Sequence, residues 1–274
     1  MTTTAQYHGV SEINSKYSAY FAQIFEVYKD FLFVEFYYPQ LHELLKTDDF
    51  PLMKFEGVTS TYVAAFKKSL IFGVIARTLK KTNPSRSLFE AVSLTENYLQ
   101  DLTFRIYRDH SHKLLNNDET EEQKEKLIKV ILESVDKTEM ISKIAEEKIR
   151  GIFYGKPSDF FTKDKARIGV DKNIESYFKT AIELYQEIIA RRNIYTHNNG
   201  KVDRKYNREV KNSTYKVGEK PKIDKVYIKQ SIQILHGLAS IVTKQAIESN
   251  YSTAGINQKL TKYVTRFERD WKGK

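Results

Sequence analysis

The 274-residue chain contains no cysteine. Disulfides, thiolate catalysis, zinc ribbons and iron–sulfur clusters are thereby excluded, and the composition suits a reducing compartment. Glycine is scarce at 11 residues and proline at 5, which points away from turn-rich β architectures and towards helices. Long apolar runs are lacking too. The two most apolar stretches, 31–38 (broken by Glu35) and 70–76, fall far short of the ~20 residues that a membrane span needs. The first ten residues carry no basic flank and no apolar stretch, so no secretory signal is read there. Together these features predict a cytoplasmic protein without a membrane partner. No GxxxxGK[ST], GxGxxG or HExxH occurs, and six histidines without a paired spacing on one face offer no metal site. No cofactor or metal is expected.

What is present fits a globular chain: 41% hydrophobic residues, 29% charged residues and a net charge of +10, with pI ≈ 9.3. At roughly 150 residues per domain the length allows one large domain or two small ones. A single all-α domain over 1–274 is expected, with N-terminal helices over about 12–149, a motif-bearing part over about 171–249 and a C-terminal helix over about 253–271. Residues 17, 20, 24, 28, 31 and 34 or 35 step by three and four, which predicts an amphipathic helix ending near Pro39. A second helix is expected from about Ser60 through Val63, Phe66, Leu70 and Val74, stopping before Asn83-Pro84. Ser87-Leu-Phe-Glu90 fits a capping box for a third. Asp118-Glu-Thr-Glu121 fits another, opening one acidic-then-basic helix with Leu127, Ile131, Val135, Ile141 and Ile144 on one face. Residues 151–170 read as loop. Ile174, Phe178, Ala181, Tyr185 and Ile188 form the most regular stripe in the chain. Ile228, Ile232, Leu235, Leu238 and Val242 form another.

Continuing the stripe by four residues from Ile188 lands on Arg192. A guanidinium at the next position of an apolar stripe is costly to bury unless it is paired or lines a cleft. Asn193 and His197 follow, four apart and on one helical face, before Asn198-Asn199-Gly200, where Gly200 suits the helix C-terminus. Arg192 and His197 are five apart and differ by about 140° on a straight helix, so they converge only if the helix bends or frays there. The trio suits phosphate chemistry. Arginine offers bidentate donors to phosphate oxygens. An imidazole, with a reference pKa of ~6.5, exchanges protons near neutral pH. Asparagine orients either partner. Arg105-Ile-Tyr-Arg-Asp-His110 repeats the spacing but lacks the asparagine and the Asn-Gly stop. It is not chosen as the site, and His110 and His112 read as a solvated helix end.

Arg192-Asn193-x3-His197-Asn198-x-Gly200, with Val202-Asp203, Tyr206 and Tyr215-Lys-Val-Gly218-Glu219 downstream, resembles the HEPN superfamily of helical nucleases. The resemblance covers about residues 171–245. It implies a helical bundle that dimerises through the motif helices, each protomer contributing an arginine and a histidine to one metal-independent ribonuclease site. Arg192, Asn193 and His197 would be the catalytic residues. The resemblance also implies a toxin or antiviral-defence effector, held silent or triggered by a partner protein. Some members lack catalysis and serve as nucleotide-binding or scaffold subunits, the alternative reading for this chain. In others a tyrosine two residues after the histidine is modified. Here that position is Asn199, which excludes that modification.

Residues 201–229 hold ten Lys/Arg and four acids, a net of six positive charges directly after the motif. RNA is therefore the expected partner, with Arg191, Lys201, Arg204, Lys205, Tyr206, Arg208 and Lys211 as expected contacts. Tyr206, Tyr215 and Tyr227 could stack on bases or simply pack the loop down. Asp136, Glu146 and Lys148 superficially fit a metal-nuclease triad but read as surface charge on a helix.

Overall fold

In a computed structural model, residues 3–47, 54–56, 63–65, 67–114, 120–154, 157–251, 253 and 255–274 are described. They are overwhelmingly helical, with one short antiparallel ladder of β1 (Lys54–Glu56) and β2 (Val63–Ala65), Phe55 opposite Ala64. No helix among them is long and apolar enough to cross a membrane.

Helix α1 (Thr3–Leu44) is the longest at 42 residues. Among its described side chains the buried hydrophobic ones are Val10, Ile13, Tyr17, Tyr20, Ile24, Val27 and Phe31, an unbroken alternation of three and four that lays one stripe along the helix. That alternation puts Val27 rather than Tyr28 in the core. The helix does not stop at Pro39, which lies inside it. The proline removes one backbone donor, but it sits on an exposed stretch, and fully buried Leu45 just beyond anchors the end.

The expected helix from Ser60 is replaced in part by β2, while Ser60 itself lies outside the described residues. Helix α2 starts at Lys68 and runs to Arg77. It leads through a π-helical turn (Thr78–Thr82) straight into α3 (Asn83–Asp109). Asn83-Pro84 therefore does not end a helix. Pro84 falls in the first turn of α3, where a missing N–H costs least, and the widened turn absorbs the change of register. The Asn83 side chain ties this joint to α1 by donating to the Phe31 carbonyl at 3.2 Å.

The single helix expected after residue 121 is two, α4 (Glu121–Glu133) and α5 (Lys137–Tyr154). Asp136 accepts from the Glu139 amide at 2.8 Å, and Glu139 accepts from the Val135 amide at 2.7 Å. That reciprocal cap starts a new helix. Ile131 and Val135, which the spacing put on one face with Leu127, Ile141 and Ile144, are exposed. Asp118 of the proposed box lies outside the described residues. Within the expected loop 151–170, α6 (Asp159–Thr162) buries Phe160 and Phe161.

Helices α7 (Ile174–Tyr177) and α8 (Lys179–His197) carry the regular stripe. Ile174, Phe178, Ala181, Tyr185 and Ile188 are all buried. After α9 (Arg204–Glu209), α10 (Lys225–Asn250) buries Ile228, Ile232, Leu235, Leu238 and Val242, and α11 (Gln258–Trp271) packs on it. Gly237 of α10 lets α11 approach: a Cβ there would strike the Phe267 ring. Trp271 stacks on Phe267 in turn, their rings 6.2 Å apart.

One continuous core runs from Val10 to Phe267, with α1, α3 and α10 packed on each other and α8 against α3 and α10. Several of its polar side chains pair with one another, as burial favours. The Tyr17 hydroxyl lies 2.8 Å from Ser240 Oγ and 3.1 Å from His236 Nε2. Tyr98 and Tyr20 stack at 4.4 Å, and their hydroxyls reach Thr243 and Thr95. His236 is ringed by Tyr17, Tyr20, Phe21, Phe25 and Tyr263. Burial pushes its pKa down to about 4.

Candidate active-site cleft

The last turns of α8 form one wall of a cleft of about 930 Å³. Arg192, Asn193 and His197 all line it. The cleft is wide enough to receive side chains that diverge around the helix, so no bend is required. His197 is exposed on the final helical turn, and Arg192 and Asn193 are half-buried. Asn193 and His197 also border an adjoining recess of about 260 Å³ with Asp203, Lys205, Tyr206 and Glu209.

The opposite wall comes from α3 and α5, through Glu96, Asp101, Glu146 and Arg150. Arg192 Nη2 donates to Glu96 Oε1 at 2.7 Å. Burial raises the Glu96 carboxyl above its ordinary value, opposed by the charge and hydrogen bond of Arg192. Arg192 Nε is also buried and has no hydrogen-bond partner among the described residues. The guanidinium is therefore fixed in place with one donor unmet. Glu96 was missed by sequence reasoning, and Glu146, read there as surface charge, lines the cleft. The available signal for Glu96 was a carboxylate four residues after buried Val92 on an otherwise apolar face, a position that calls for a cation. Glu146 and Lys148 face different cavities, so with Asp136 capping α5 the three do not form a triad.

The end of α8 is shaped by backbone chemistry. The amides of Asn198 and Gly200 both donate to the Ile194 carbonyl. Asn199 (φ 50°) and Gly200 (φ 76°) are both left-handed, so the stop takes two residues rather than glycine alone. At Gly200 a Cβ would also crowd the Tyr195 ring at 3.1 Å. His197 is thus presented at a sharply terminated helix end.

Arg191, expected among the RNA contacts, points the other way. It is buried, donates to Glu187 Oε1 and to the Lys222 carbonyl, both at 2.6 Å, and lies 4.0 Å from the Tyr227 ring centre. Tyr206 is buried as well, its hydroxyl donating to Glu187 at 2.6 Å. Tyr227 donates to the other Glu187 oxygen at 2.8 Å. Burial raises both phenol pKa values, and the Glu187 charge adds to it. Arg191 and Tyr206 are therefore fasteners that hold the basic segment against α8, because consecutive helical residues diverge by ~100° and only Arg192 faces the cleft. Lys201, Arg204, Lys205, Arg208 and Lys211 are exposed. Lys205 reaches the cleft, while Lys211 pairs with Glu183 at 2.8 Å.

The second Arg-x4-His copy is structural. Arg105 is buried and pairs with Glu12 and Asp109, joining α3 to α1. His110 packs edge-on to Tyr251 at 5.0 Å and is half-buried rather than solvated, whereas His112 is exposed. No family, no curated protein and no solved structure matches the chain.

Proposed function

We propose that the chain is a metal-independent ribonuclease of HEPN type, acting at the Arg192–Asn193–His197 cleft. The observation that carries this reading is that an exposed imidazole, a fixed guanidinium and an amide line one cleft beside a basic segment. In the reaction the RNA 2′-OH attacks the adjacent phosphorus. The P–O2′ bond forms and the P–O5′ bond breaks, leaving a 2′,3′-cyclic phosphate and a 5′-OH. His197 takes the 2′-OH proton, and His197 of the partner subunit in a homodimer returns one to the 5′ oxygen. Arg192 offsets the charge gathering on the phosphorane, and Asn193 orients the phosphate. Lys201, Arg204, Lys205 and Arg208 draw the strand in.

A second reading is favoured by the four carboxylates in the same cleft, Glu96, Asp101, Glu146 and Glu209. They weaken its attraction for a polyanion and suit a scaffold subunit that binds without cutting. Incubation of the purified chain with tRNA, mRNA and rRNA in excess EDTA separates the two. Cleavage to cyclic-phosphate ends that His197→Ala abolishes supports the ribonuclease. Binding without cleavage supports the scaffold. Products with 5′-phosphates, or activity that needs Mg²⁺, overturn the Arg192/His197 mechanism.

A further inference from the structure

The recess that adjoins the cleft takes no part in the phosphate chemistry, yet it is bordered by Asn193 and His197. Its volume is about 260 Å³, roughly nine water-sized units at ~30 Å³ each, which is room for one planar base. Two helices form it. Asn193 and His197, four apart on α8, line one side together with buried Ala190 and Ile194. Lys205 and Glu209, four apart on α9 and so on one face of it, line the other. Tyr206 lines the recess between them, and its hydroxyl ties α9 to Glu187 of α8 at 2.6 Å. The recess therefore combines apolar surface from Ala190, Ile194 and Tyr206 with a polar edge.

Much of that edge is uncommitted. Asp203 is spent capping α9, where it accepts from the Tyr206 amide at 2.7 Å. Lys205 and Glu209 are different. They lie 3.9 Å apart, too far for a hydrogen bond, and neither side chain makes any other hydrogen bond among the described residues. An ammonium with donors to offer and a carboxylate with acceptors to offer thus stand side by side. A carboxylate next to a phosphate site repels the backbone that the site should receive, unless N–H groups of the substrate meet it.

Among the four bases of RNA, guanine matches this pair best. Its Watson–Crick edge sets N1–H beside N2–H₂, two donors for the two oxygens of one carboxylate, with O6 next to them as an acceptor for an ammonium. Uracil offers a single N–H between two carbonyls. Adenine and cytosine each place a ring acceptor beside the amino group, and a carboxylate repels it. An unstacked base in single-stranded RNA has this edge free to be read.

We propose that the recess is a guanine pocket, in which the Glu209 carboxylate accepts from N1–H and N2–H₂ and Lys205 donates to O6. The position of the cut rests on the ribonuclease reading. The base is joined to C1′, next to the C2′ that carries the attacking hydroxyl, so a guanine seated beside His197 offers its own 2′-OH to that imidazole. Cleavage then falls on the 3′ side of guanosine.

Calorimetric titration of the full chain with the 3′-monophosphates of guanosine, inosine, adenosine, cytidine and uridine in EDTA tests the pocket without any need for cleavage. The guanosine nucleotide should bind most tightly. Inosine lacks the N2 amino group and gives the carboxylate one donor instead of two. It should bind about tenfold more weakly, the usual worth of a hydrogen bond to a charged group. Glu209→Gln puts an amide donor where a carboxylate oxygen stood and should bring the guanosine and inosine affinities together. If that variant does not fold, the wild-type ratio of the two ligands still decides. Digestion of a mixed-sequence RNA locates the cuts in parallel. Guanine preference in binding without cleavage supports the pocket and removes the ribonuclease reading. Cleavage after all four bases alike overturns the pocket and leaves the ribonuclease reading in place. Equal affinity for the guanosine and inosine nucleotides, a ratio that Glu209→Gln leaves intact, or no binding of any of the five at millimolar concentration also overturns the pocket.

Discussion

Arg192 and Glu96 meet at 2.7 Å although 96 residues of chain separate them. Their side chains are 18% and 24% exposed, so the pair is partly shielded from water and joins α8 to α3 across the cleft. Removing one partner leaves the other charge desolvated, which costs more than an exposed pair would. Glu96→Gln should destabilise the fold by about 1–3 kcal/mol in urea titrations. A double-mutant cycle with Arg192→Gln should return a coupling of about 1 kcal/mol or more. Additive single effects would show that the pair does not hold the two helices together.

Glu187 accepts from Arg191, Tyr206 and Tyr227, so one carboxylate fastens the segment after the motif helix. Glu187→Ala should expose amides around residues 202–219 to hydrogen exchange while those of α10 stay protected. Uniform loss of protection would mean that the segment and the core open as one unit.

His236 makes stability depend on pH. Its folded-state pKa is about 4, against about 6.5 for an unfolded histidine. Between these values the unfolded chain binds more protons. The contribution is therefore complete above pH ~6.5 and is lost as pH falls towards 4. Between pH 7.5 and 5 the native protein should lose about 2 kcal/mol from this residue. His236→Gln should show a correspondingly shallower loss in denaturant titrations. An unchanged slope would mean that the ring titrates normally.

Gly237→Ala places a methyl group against the Phe267 ring. Overpacking of that kind costs about 1–3 kcal/mol, so the midpoint of thermal unfolding should fall. Gly218→Ala is the contrast: there a Cβ meets nothing, and only the left-handed backbone (φ 93°) opposes it.

A homodimer through α8 would bring two motif helices face to face. The chain has no cysteine, so Thr196→Cys, exposed beside the motif, creates a unique thiol. A short bismaleimide should crosslink two copies, and light scattering should give twice 32.1 kDa. A monomeric mass would argue against a composite site.

Periodicity made the stripes of α8 and α10 legible, because burial at every third and fourth residue leaves a direct trace in one chain segment. The same logic located Arg192, the charged residue that breaks the pattern. It failed where structure depends on local backbone chemistry. The reciprocal cap of Asp136 and Glu139 divides what looked like one helix, and the π-helical turn lets a proline pass. It also failed where polar groups pair over long distances. Nothing near Glu96 or Glu187 announces a partner 96 or 40 residues away. Adjacent Arg191 and Arg192 read alike in sequence, yet one faces the interior and the other the cleft.

The stacking of Trp271 on Phe267 determines what light can report about this protein. With a single tryptophan, placed at the end of α11, intrinsic fluorescence senses the docking of that helix on α10 and little else. Emission will follow global unfolding faithfully and stay silent when the cleft fills, so optical detection of a ligand there requires a tryptophan introduced near His197.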